Sequence, residues 1–94
     1  MKEKAPTSPR RKMKWTGSIS ELVELAYSLH TSGRINAGQI NINDIIQALE
    51  RLFDVKIAYK YDLFLAIRRR KKERAAFMKQ LYECLNDRIL ELDK

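Results

Sequence analysis

From Trp15 onward, apolar residues recur at three- and four-residue intervals, the spacing of amphipathic helices rather than the alternation of strands. Leu22, Leu25, Ala26 and Leu29 form the first set and predict one buried stripe. Ser18 precedes it and Glu21 follows three residues later, a pattern in which hydroxyl and carboxylate each satisfy a free amide. Helix one is therefore expected to begin at Ser18. Ser32-Gly33 should end it, because glycine accepts the left-handed conformation that closes a helix. His30 falls in the last turn, where the helix dipole favours positive charge, and reads as structural or exposed.

Residues 34–40 hold an Asn36-Ala37-Gly38 turn between isoleucines and read as a loop, with a short strand-like excursion as the alternative. Asn41 or Asn43 then caps helix two, whose Ile42, Ile45, Ile46, Leu49 and Phe53 share one face. A brief turn over residues 54–57 leads to helix three, expected over about 58–70 with Leu63, Phe64 and Ile67 inward. Around Lys71-Lys72-Glu73 the chain is expected to break before helix four, whose stripe is Phe77, Met78, Leu81, Leu85, Ile89 and Leu92. No glycine or proline enforces that break, so a continuous helix over 58–92 is the competing reading. The pattern predicts an all-α fold, a small bundle of about four helices burying some twenty large apolar side chains.

Length and composition narrow the class. A chain of 94 residues holds one domain, and with 45% hydrophobic and 33% charged residues it reads as soluble. No stretch approaches the roughly 20 apolar residues that span a bilayer, and the first fourteen residues carry charge where a signal peptide needs an apolar run. A cytoplasmic location without membrane contact is expected. One cysteine and one histidine cannot build a zinc site, and three glycines are too few for a phosphate-cradling loop, so neither metal nor cofactor is expected. No nucleophile stands beside a tuning base, which argues against an enzyme. Cys84 adjoins the helix-four stripe and is expected to be buried and inert; Glu21 and Glu24 read as a solvated helix face.

Charge changes the picture more. The formal net charge is +7, and it is concentrated: residues 1–14 carry six basic residues and Glu3, residues 68–74 carry six basic residues and Glu73, and the remainder is net acidic. Such clusters attract polyanions and release their counterions on contact, although charge runs also serve only to solubilise. In Arg68-Arg69-Arg70-Lys71-Lys72, consecutive helical residues point around the axis, so most must face water, where arginine adds bidentate phosphate geometry. Arg74 extends the run. Upstream, Lys56, Tyr59, Lys60 and Tyr61 surround the start of helix three, the end that enters the major groove in helix-turn-helix proteins. Residues 1–14, with Arg10, Arg11 and Lys12, are too polar to repay the entropy of ordering and read as a flexible arm that either follows a groove or has no role. The folded DNA-binding domain is expected over residues 15–94.

Several of these residues form a wider pattern. Trp15-Thr16-Gly17-Ser18, Glu21-Leu22, Leu25, Ser32-Gly33, Ile35-Asn36, Gly38, Ile42, Ile45, Phe53, Tyr61, Phe64, Ile67-Arg68 and Arg70-Lys71 together resemble the C-terminal domain of RteC-family regulators over roughly residues 15–92. The resemblance implies a transcriptional regulator of conjugative-transposon excision with a helix-turn-helix or winged-helix DNA-binding domain. It also implies that the larger N-terminal domain of such regulators is lacking here. The chain departs from the pattern at Asn36-Ala37-Gly38, where a second asparagine is expected, and over Lys56 to Lys60, so no target sequence carries over. The expected partner is duplex DNA, with RNA left open because phosphate attraction does not separate the two polymers. The rival expectation is an interaction module whose basic face docks an acidic partner and whose helix-four stripe extends into a homodimer.

Overall fold

A computed structural model describes residues 12–94. It is all-helical: α1 (Ile19–Ser32), α2 (Ile42–Phe53), α3 (Lys60–Arg68) and α4 (Ala76–Leu92), with one 3-10 turn at Asn36–Gly38 and no strand among the described residues. The winged-helix alternative therefore has no wing among them.

Helix α1 begins as its sequence dictates. Ser18 is extended, its Oγ accepts from the Glu21 amide, and the Glu21 carboxylate accepts from the Ser18 amide, both at 3.1 Å. Gly33, at φ +71°, closes the helix. Between these ends, α1 is the axis of the fold, because α2, α3 and α4 each pack on it and none packs backbone to backbone on another. A helix covered on several sides has no single buried stripe. Accordingly Leu22, Val23, Glu24 and Ala26 are buried, while Leu25 and Leu29 are only half-buried. The expected stripe of Leu22, Leu25, Ala26 and Leu29 is corrected in that sense.

The loop after α1 is a single turn closed by Gly38 N–H to Ile35 O and Gln39 N–H to Asn36 O, both 2.9 Å. The ring of His30 holds it, with Nε2 3.1 Å from the Ile40 carbonyl, so His30 has the structural role. Asn41, not Asn43, caps α2 by accepting from the Asn43 amide at 2.8 Å. Ile45, Ile46 and Leu49 are buried as the pattern predicts. Asp54, at φ +50°, ends α2 without glycine, and the Glu50 carboxylate takes the Ile57 amide at 2.7 Å, drawing Ile57 into the core. Helix α3 then presents Ile67 to the core, with Leu63 and Phe64 packed against it; Phe64 stacks face to face on Tyr27 of α1 with centroids 3.8 Å apart.

The core is smaller than expected. Among the described residues eight hydrophobic side chains are buried, with eleven more partly buried around them, and α4 is the reason. Only its first turn docks: Phe77 meets Trp15 edge to face at 5.8 Å, and Trp15 in turn rests on Phe53 at 5.2 Å. Leu81, Leu85, Ile89 and Leu92, read from sequence as core, are exposed. Cys84 is likewise exposed, not buried.

Candidate nucleic-acid interface

The basic run of residues 68–74 forms the corner between α3 and α4. Arg68 and Arg69 stand at the C-terminal end of α3, where the dipole favours cations. Past them the chain turns through Glu73 at φ +49°, so the continuous helix over 58–92 does not form.

A buried carboxylate makes the turn without glycine or proline. Glu24 is only 5% exposed, contrary to its reading as part of a solvated face. Its Oε1 accepts from Arg70 Nη1 at 3.1 Å, and its Oε2 accepts from the Met78 amide at 2.9 Å. Ala75, the residue before α4, offers no side-chain cap, so Glu24 of α1 fills the capping role from across the fold. Arg70 also donates to the Arg74 carbonyl at 2.8 Å and, more weakly, to Ser20 Oγ at 3.4 Å. Its guanidinium is thereby engaged inside the protein, and it is removed from the set of free cations.

The remaining members face water. Arg68, Arg69, Lys71, Lys72 and Arg74 are all exposed around this one turn. Glu73 does not neutralise them outright, since its carboxylate is taken by Lys79 Nζ at 3.0 Å. That hydrogen bond, with the charges of Glu73 and Glu83, raises the pKa of the Lys79 ammonium above its ordinary value. Beside the turn, between α1 and α3, lies a groove of about 500 Å³ lined by Tyr27, Ser28, Thr31, Phe64, Arg68 and Arg74. No group of three or more His, Cys, Asp or Glu among the described residues is placed to hold a metal ion.

The upstream cluster occupies the other end of α3. Tyr59, at φ +57° and 78% exposed, precedes a helix start with no side-chain cap. Lys60 lies over the Tyr61 ring at 5.1 Å, and the Tyr61 hydroxyl reaches Asn43 Oδ1 at 3.4 Å, a weak link between α3 and α2. Lys56 stands apart, in a shallow concavity with Glu50, Arg51 and Asp54. Tyr61, Leu65 and Arg68, spaced by four and three residues, share the water-facing side of α3, which also carries Asp62. The structure thus brings Lys60, Tyr61 and Arg68 onto one short helix of nine residues, with Arg69 as its C-terminal cap, and keeps Lys56 off it. Lys12 is exposed, whereas Arg10 and Arg11 lie outside the described residues.

The family model described as RteC protein matches residues 1–93, nearly the whole chain. The chain belongs to the RteC family. Membership links this RteC-family chain to conjugative-transposon-related regulation, the expectation carried by the residues around Trp15 and Ile67-Arg68. No curated protein and no solved structure matches it. No helix of the described residues is long and apolar enough to cross a membrane.

Sequence reasoning missed Glu24. The available signal was indirect: α4 has a good apolar pattern but an alanine where a capping side chain belongs, and such a helix needs an acceptor from elsewhere.

Proposed function

We propose that this RteC-family chain is a cytoplasmic DNA-binding domain that regulates transcription in the excision or transfer of conjugative transposons, acting by binding and not by catalysis. The observation that carries the reading is the α3–α4 corner, where Arg68, Arg69, Lys71, Lys72 and Arg74 are exposed together on a turn that the Arg70–Glu24 pair holds in place. Five cations over seven residues on a fixed turn suit a row of phosphates, and Lys60, Tyr59 and Tyr61 at the opposite end of α3 are placed to approach bases or sugar. Helix α3 is about 13 Å long, so both ends lie within the width of one groove and its flanking strands.

The test is binding of the 94-residue chain to random duplex DNA, single-stranded DNA and RNA as salt is varied. Neutralising about five phosphates gives a log–log slope near −4.5 on duplex DNA. Changing Arg68, Arg69, Lys71 and Lys72 to alanine should flatten that slope to about −1 while leaving the fold intact, since none of the four is bonded in the core. Arg70 is left in place because its removal would unseat α4. No duplex binding at low salt, an unchanged slope in the variant, or binding confined to RNA would each overturn the proposal.

A further inference from the structure

Beyond its first turn, α4 carries an apolar seam that no other described residue covers. Met78, Tyr82, Leu85, Ile89 and Leu92 follow one another by four, three, four and three residues, the a/d spacing by which two helices pair. Tyr82, Leu85, Ile89 and Leu92 are between 47 and 69% exposed. Together with Leu81 and Leu90 they reach the few hundred Å² that mark an interaction site on a monomer.

We infer that this seam pairs with the same seam of a second copy of this chain, with the two α4 helices antiparallel. The periodicity argues for a helical occupant of matching repeat, and α4 itself supplies one. Two observations set the direction. The bundle sits at the N-terminal end of α4, where Phe77 meets Trp15, so a parallel pair would drive two bundles into one another. The flanking charges also match end to end: in the antiparallel register Asn86 meets Asn86 near the axis, and Lys79 of each copy faces Asp93 of the other. Lys79 donates once to Glu73 and keeps two N–H donors for that contact. Arg88 faces its own copy near the axis and is offset by Glu91 one turn away.

At 1.5 Å per residue, this register separates the two basic turns by roughly 40 Å along the pair, near the roughly 35 Å of one DNA turn. That last match rests on the proposed DNA contact, whereas the pairing does not.

Sedimentation equilibrium of the 94-residue chain tests it without nucleic acid. A seam of about two heptads should half-associate at roughly ten to one hundred micromolar. The double variant L85D/I89D should be monomeric throughout with its bundle intact, because both side chains are solvent-facing in the monomer. A wild-type chain that stays monomeric to roughly a millimolar, or a dimer that survives in L85D/I89D, overturns the inference. Orientation is read separately: with Cys84→Ser in place, Asn86→Cys should oxidise to a covalent dimer, and association without that cross-link overturns the antiparallel arrangement.

Discussion

Replacing Glu24 by glutamine, E24Q, keeps the volume of the side chain and removes only its charge. Two bonds change. The one to Arg70 Nη1, 3.1 Å long, turns into a weak or opposed contact, and the one from the Met78 amide, 2.9 Å long, remains but loses its charge assistance. Charge-assisted bonds contribute about 1.5–3 kcal/mol and neutral ones about 0.5–1.5 kcal/mol. Arg70 is 32% exposed and can turn partly to water, which moderates the first loss. The expected destabilisation is about 2–4 kcal/mol, a large part of the about 5–15 kcal/mol available to a domain. Urea unfolding followed by circular dichroism gives the magnitude. Tryptophan emission gives the location, because Trp15 touches Phe77 at the start of α4 and should report its release. A double-mutant cycle with Arg70→Met isolates the pair and should show coupling above about 1 kcal/mol. If E24Q lies within about 0.5 kcal/mol of the parent, or the two changes simply add, the latch is not what seats α4.

Tyr27 makes a prediction about alkaline pH. Burial, and next the charge of Tyr61, raises its pKa above the ordinary 10.0. A raised folded value means the stabilisation is complete below pH 10 and is lost as pH climbs through the folded pKa. Tyr27→Phe keeps the stack on Phe64 and should remove that alkaline loss; identical high-pH stability profiles for parent and variant would refute it. At Gly33, φ is +71° and an added Cβ would meet nothing within 4 Å, so only conformational strain is at stake. Gly33→Ala should cost about 1 kcal/mol, and Gly33→Asn clearly less, by thermal unfolding; equal costs would show that something other than the left-handed backbone is being measured.

Much of the local architecture was legible residue by residue. Ser18 with Glu21, Gly33, and the face of Ile45, Ile46 and Leu49 could be read because caps and amphipathic faces are short-range: each partner lies within one or two turns of the other. The candidate interface was legible as a cluster, since five of the six basic side chains of residues 68–74 do face water. Its exception was not. Arg70 is held by Glu24, forty-six residues away, and nothing in either neighbourhood marks the pair.

By itself, then, the sequence determined four helices, most of their ends, the family and the place of the positive charge. Only the tertiary structure decided which apolar stripes are covered. Leu85 of α4 has the same spacing signature as Ile46 of α2, yet one is exposed and the other buried, because periodicity states that a face is apolar and not what lies against it. Likewise the α3–α4 corner is set by neither glycine nor proline. It is set by a carboxylate on a distant helix, and a bond of that range exists only once the chain has folded.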